Sequence, residues 1–189
     1  MIRTSKLALF VVLLVSSTVA AGKDKKEDAA PPGCHWQDVP AVKMHLSVPD
    51  GWQFRDTSSG SSKSYEVIPA GPGLENSKAR YLLEVHRKIS KTEVVTKARE
   101  FVEAVRSAGV DSQPLEQQTN GAMTFFSSYA NYIPNSPGAI GLGVVVSSAA
   151  NSRTGTLYTM RFNIPLSELE AVAPLGNNLF QTIRLDDEF

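Results

Sequence analysis

The chain has 189 residues, with 19 basic residues against 19 acidic ones, three histidines and one cysteine. Balanced charge without a basic patch excludes the electrostatic footprint of a nucleic-acid binder, and nothing favours a strongly anionic membrane surface. One cysteine cannot form an internal disulfide, so the core holds without a covalent staple, and Cys34 either stays free or links two chains as a dimer.

The chain opens on a secretory signal pattern over residues 1–21. Arg3 and Lys6 form a basic start, Leu7 to Val15 is an apolar run, and small residues follow, with cleavage at Ala20 or Ala21. The apolar run is shorter than the roughly 20 residues of a spanning helix, so no membrane span is expected after cleavage. No cysteine follows the run directly, which argues against a lipoprotein anchor. Removal leaves about 168 residues, a single-domain length, with a net charge near −2. Neither Asn135-Ser136-Pro137 nor Asn151-Ser152-Arg153 is a glycosylation acceptor, which suits a bacterial periplasmic or secreted protein.

Residues 22–39 read as a disordered tether. "GKDKKEDAAPPG", Gly22 to Gly33, mixes charges and ends in Ala and Pro without apolar periodicity. In "GCHWQD", His35 and Trp36 read as a tether residue beside a capping ring. The domain is expected over 40–189.

From Val42 the period becomes two. Val42, Met44, Leu46 and Val48 alternate with Lys43, His45 and Ser47, as a half-buried strand does. Pro49-Asp50-Gly51 turns the chain, with Trp52 and Phe54 behind it at strand spacing. Further strands are predicted over Ser64–Pro69 and Arg80–Lys88, the latter with Tyr81, Leu83 and Val85 on one face.

Ser90-Lys91-Thr92-Glu93 has the spacing of a capping box, and Val94, Val95, Ala98, Phe101, Val102 and Val105 form an apolar helical stripe. Gly109 is the expected C-terminal stop. Asn120-Gly121 predicts a hairpin between strands near Leu115–Thr119 and Ala122–Tyr132. Strands follow over Ala139–Ser148, and over Thr156–Asn163 with Tyr158, Met160 and Phe162 on one face. Short connections imply an antiparallel meander. Ser167-Glu168-Leu169-Glu170 repeats the capping spacing, and Pro174 predicts a short helical turn, a break, and a helix to Ile183. Leu175, Leu179, Phe180 and Ile183 are expected to face the sheet. Helices on a many-stranded antiparallel sheet make an α+β layered domain.

The order "VPDGWQF" after the first strand, the strands and helix leading to Gly109, and the closing "LYTMRFNIPLSELEAVAPLGNNLFQTIRL" resemble the PsbP-like (Mog/PsbP) family over nearly all of residues 40–185. The photosystem II extrinsic subunit and a Ran-binding nuclear import factor share that fold. The resemblance implies an αβα sandwich around an antiparallel sheet, and members that act by binding proteins or supporting assemblies. It implies neither a reaction nor a cofactor, and neither family partner is carried over.

Candidate chemistry is sparse. His45 and His86 fall on polar strand faces, with Glu84 beside His86, so neighbouring strands would give a His45–Glu84–His86 cluster able to hold a divalent metal. The competing description is two solvated strand residues. Cys34-His35 lacks metal-ligand spacing. No G-x-S-x-G or S-x-x-K motif occurs, and Gly141-Leu142-Gly143 leads into a strand, not a phosphate-binding helix. Glycines there allow a helix or ring to approach the sheet. Glu168 and Glu170 suit a helix start, and Asp186, Asp187 and Glu188 a solvated tail. The expected function is a non-enzymatic exported accessory domain that binds an unknown envelope protein. The alternative is a small-ligand or metal-binding periplasmic module.

Overall fold

The computed structural model describes residues 29–72, 77–134, 138–186 and 188–189, with the side chains of 173–178 and 181 outside the description. The signal segment, the tether as far as Asp28, Asp187 and the side chain of Leu175 therefore lie outside the described residues.

Among the described residues, ten strands and two α-helices follow one another in chain order. They are β1 (Cys34–Val39), β2 (Met44–Pro49), β3 (Trp52–Asp56), β4 (Lys63–Pro69), β5 (Arg80–His86), α1 (Val94–Ser107), β6 (Glu116–Asn120), β7 (Met123–Tyr132), β8 (Leu142–Asn151), β9 (Thr156–Pro165), α2 (Leu169–Thr182) and β10 (Arg184–Leu185). Single turns of 3₁₀ helix lie at Pro40–Val42 and Leu166–Glu168.

Two sheets form, where one was expected. β3-β4-β5-β9-β8-β7-β6 make a seven-stranded antiparallel sheet, and β1-β2-β10 make a three-stranded one. The large sheet is two meanders, β3-β4-β5 and β6-β7-β8-β9. α1 carries the chain from β5 to the far edge, and β9 returns beside β5 with Tyr81 opposite Phe162 and Leu83 opposite Met160. This is the α+β, mainly antiparallel arrangement that the short connections imply.

Strand alternation assigns the two faces. Val94, Ala98 and Val102 of α1 bury against Phe126, Val146, Ala150 and Leu157. The predicted partners Val95, Phe101 and Val105 complete that cluster half-buried. Residues of opposite parity, Phe125, Tyr129, Val145, Tyr158, Met160 and Phe162, form the larger core with Met44, Leu46 and Val48 of β2 and Leu179, Phe180 and Ile183 of α2 and its end. Buried serine is used where helix meets sheet: Ser148 Oγ donates to the Ala98 carbonyl at 2.8 Å.

The Pro-Asp-Gly stretch is the corner between the two sheets. β2 ends at Pro49, Gly51 turns at φ 78°, and β3 begins at Trp52 in the other sheet. The Gly51 carbonyl accepts the Ala70 and Gly71 amides at 2.8 and 2.6 Å. Trp52 is 5% exposed with its ring 6.0 Å from that of Phe162, and Phe54 stacks on Tyr65 at 5.5 Å.

Several expectations are corrected. Cys34–Val39, placed in the tether, form β1. Pairing with β2 holds this segment: Trp36 faces Ser47 and Val39 faces Met44, and only Val39 is fully buried, so no alternation marks it. A turn precedes it, with the Cys34 amide donating to the Pro31 carbonyl at 3.0 Å and the Asp50 amide to the Gly33 carbonyl at 2.8 Å. Neither capping box forms. Glu93 and Glu168 are the N-cap residues and make no side-chain cap bond; Ser90 Oγ instead meets Thr92 Oγ1 at 2.8 Å, and the Glu168 carboxylate takes the Ser77 hydroxyl.

α2 runs unbroken from Leu169 to Thr182 through Pro174. The amide lost at Pro174 would have bonded the carbonyl of Glu170, an exposed residue of the first turns, whose carbonyl solvent can reach instead. The acidic tail is not all solvated. Phe189 is buried, Arg87 lies 4.3 Å over its ring, and its main-chain oxygen accepts Asn151 Nδ2 at 3.3 Å and Thr154 Oγ1 at 2.5 Å.

Candidate functional site

The structure does not bring the three proposed metal candidates together. His45 sits on the outward face of the small sheet, which packs on one side of the large sheet; Glu84 and His86 share the other side with α1. β5 pairs with β4 and β9, not with β2. His86 Nε2 lies 3.5 Å from Glu84 Oε2, and His45 Nδ1 lies 2.5 Å from Asp38 Oδ1 across the β1–β2 ladder. Two separate exposed His–carboxylate pairs replace the cluster. Among the described residues no group of three or more His, Cys, Asp and Glu side chains is placed to hold a metal ion.

Cys34 is half-buried on β1. Burial, and then the negative charge of Asp50, push its thiol above the ordinary value. That is the reverse of what an activated nucleophile needs. Nearby His35 faces Asp50 at 3.6 Å.

A groove of about 330 Å³ opens beside the small sheet. Ala29 to Pro32, Trp36, Thr182, Ile183 and Arg184 line it. The Arg184 guanidinium stacks 4.4 Å over the Trp36 ring, and the Thr182 hydroxyl bonds that of Ser47. The lining offers an aromatic face, a cation, one hydroxyl and aliphatic surface, a set suited to binding more than to bond cleavage. Periodicity does not reveal this groove, because Trp36 falls in a segment without apolar alternation. Its lining comes from segments about 150 residues apart in the chain.

The second surface lies at the opposite end of α2, roughly 20 Å away by helix rise. Among the described residues the large apolar side chains left exposed are Val110, Ile133, Ile140 and Leu166, at 48%, 62%, 54% and 37% exposure. All four fall at one end of the large sheet. Val110 and Asn131 exchange backbone bonds of 2.7 and 2.9 Å; Ile133 follows β7; Ile140 precedes β8; and the Leu166 amide bonds the Gly141 carbonyl at 2.9 Å. Tyr132, Leu142 and Pro165 stand in register between them.

Gly141 and Gly143 act here as spacers, as the sequence suggests: a Cβ at Gly143 would lie 2.7 Å from the Tyr129 hydroxyl and 3.2 Å from Leu169 Cδ1 of α2. The signal for this surface was legible in a different form. From Gly121 to Ser152 the chain carries no acidic, basic or histidine side chain, so the rim has no charge of its own there.

No protein-family profile matches the chain, and no curated protein sequence does. Solved structures do. Cyanobacterial PsbP (CyanoP) from Synechocystis sp. PCC 6803 aligns at TM-score 0.52 and 12% identity, covering 87% of this chain and 98% of that one. The Saccharomyces cerevisiae Ran-binding protein Mog1p aligns at TM-score 0.52 and 12% identity, covering 82% and 97%. LpqN of Mycobacterium tuberculosis, described as involved in cell envelope biogenesis, aligns at TM-score 0.53 and 15% identity, covering 76% and 83%. The chain therefore has the Mog/PsbP-like fold. At these identities the likeness is one of fold alone.

Proposed function

We propose that this chain is an exported, non-enzymatic accessory domain that binds a protein partner in the cell envelope through the rim of Val110, Ile133, Ile140 and Leu166. The concentration of the exposed large apolar residues at one end of the sheet carries the reading. Isolated exposed apolar residues are ordinary, but several gathered at one end of a sheet support a contact surface there. The N-terminal signal pattern supports export to a bacterial periplasm or beyond. LpqN's association with the envelope supports the same address by analogy of fold. The layering we infer is helix, sheet, helix, with the small sheet seated beside α2 in one outer layer.

The test is affinity purification of the tagged full chain from the cells that produce it, after reversible crosslinking. A stoichiometric partner is expected with the wild type and is lost with Ile133→Ser/Ile140→Ser, whose thermal midpoint stays within a degree or two because both positions are exposed. A partner retained by the double variant, or none captured by the wild type, rejects the reading.

A second reading, a small-ligand module, is favoured by the Trp36–Arg184 groove. It requires a ligand whose thermal stabilisation of the full chain disappears in Trp36→Ala.

A further inference from the structure

β6 ends the large sheet, and no other element packs against it to the extent that β7 does. Its sequence, Glu116-Gln117-Gln118-Thr119-Asn120, is short and carries one charge, but it has no Pro, no Lys, and no bulge in a one-to-one register that runs from Glu116–Ser127 to Asn120–Met123. α1 covers β7, β8 and β9, and among the described residues no strand pairs with the outer edge of β6. The rest of the same edge is already closed, because Val110 and Gln113 bond the backbone of Asn131 and Tyr129.

The ladder fixes which backbone groups face outward. The β6–β7 loop is the two residues Gly121 and Ala122, and such a loop closes on a pair that exchanges hydrogen bonds. Asn120, Gln118 and Glu116 therefore bond β7, while the N–H and C=O of Gln117 and Thr119 point away from the sheet.

We propose that this edge pairs with the same edge of a second copy, antiparallel about Gln118, giving one sheet of fourteen strands across a two-fold axis. The strand complements itself in that register. Gln117 and Thr119 of one copy exchange backbone bonds with Thr119 and Gln117 of the other. On the face opposite α1, the Glu116 carboxylate meets the Asn120 amide, and Gln118 meets its own copy, amide to amide. Within a single chain Glu116 Oε2 and Gln118 Oε1 are shielded from water and met by no donor, so the strand enters the pairing with acceptor capacity unused. A self-complementary patch is what an isologous two-fold contact requires. The inference is independent of the partner proposed for the rim.

The experiment uses the chain expressed from its full coding sequence, in whatever processed form the host leaves. Sedimentation equilibrium is expected to show a one-copy to two-copy equilibrium. Thr119→Pro removes an outward N–H without touching a bond to β7, and is expected to raise the dissociation constant by at least about tenfold. In a Cys34→Ser background, Gln118→Cys is expected to crosslink to its copy under mild oxidation, since a non-hydrogen-bonded antiparallel pair brings two Cα atoms within disulfide reach. Ser61→Cys, exposed on the β3–β4 loop, is the control. One-copy behaviour throughout, a two-copy species indifferent to Thr119→Pro, or a Gln118→Cys crosslink no faster than the control overturns the proposal. If Thr119→Pro fails to fold, the crosslinking comparison decides alone.

Discussion

Gly109 lies so close to Ala130 that a Cβ on it would stand 2.6 Å from the Ala130 Cβ and 2.8 Å from the Asn131 carbonyl oxygen. Its φ is not positive; the left-handed residue after α1 is Asp111, at 50°. The glycine is required for contact, where the sequence suggested a left-handed helix stop. The obstacle is β7 itself, whose Asn131 bonds Val110 in both directions. Gly109→Ala is therefore expected to destabilise the domain by about 1–3 kcal/mol through overpacking. Denaturant unfolding of the variant checks it; an unchanged midpoint would show that α1 and β7 separate freely.

Trp52 tests the corner between the sheets. Trp52→Ala removes a ring packed on Phe162 and should cost about 3–5 kcal/mol. Trp52→Phe should cost distinctly less. It keeps most of the apolar volume and deletes a buried indole N–H that has no acceptor among the described residues. Equal losses from the two variants would mean that the N–H, not the packing, holds the corner.

The strands that alternate and the helix stripe were legible because burial on one face imposes a period on the sequence. Tyr81, Leu83 and Val85, or Tyr158, Met160 and Phe162, needed nothing more. β1 was not legible, since an edge strand with one buried residue, Val39, leaves no pattern. The split into two sheets was hidden for a related reason: Pro-Asp-Gly signals a turn equally whether the next strand pairs with the last one or leaves for another sheet. The capping boxes failed because Thr92 claims Ser90, and because Ser167 lies inside the 3₁₀ turn Leu166–Glu168, one residue before the N-cap of α2. Of the candidate site, the His45–Glu84–His86 grouping depended on strand neighbours that topology denies. The rim and the groove are assembled from segments whose proximity only the folded chain supplies.

Metal addition should therefore distinguish nothing at these histidines. The two His–carboxylate pairs are exposed and on opposite sides of the large sheet. Zinc is expected to shift the thermal midpoint of the wild type and of His45→Ala/His86→Ala equally. A shift that vanishes in the double variant would restore the joint site.

Stability is expected to fall at alkaline pH. Burial holds the phenols of Tyr81 and Tyr158 far above the ordinary value of 10.0, with Asp186 adding to the effect at Tyr158. In the unfolded chain both ionise near pH 10. Between that value and the folded one the native state binds more protons, so the contribution is complete below pH 10 and declines as pH rises above it. Tyr81→Phe should be close to neutral at pH 7, because its buried hydroxyl has no partner among the described residues, and should unfold less steeply above pH 10. A wild-type midpoint that stays flat to pH 11 would contradict the burial of both rings.

Cys34 gives the last prediction. Its thiol is held above the ordinary range by burial first and by Asp50 second, so at neutral pH it carries less thiolate than a free cysteine. Alkylation depends on the thiolate, and the rate per chain should fall below that of an unstructured cysteine peptide at the same pH. Asp50→Asn removes the second cause and leaves the first, so it should recover only part of the difference. Denaturant should recover all of it by exposing the group. The same argument applies to a Cys34–Cys34 link between two chains, which should form slowly in the folded protein and faster in Asp50→Asn. A native Cys34 that alkylates as fast as the peptide would mean that β1 opens readily from β2, and that the segment behaves as the tether its sequence suggests.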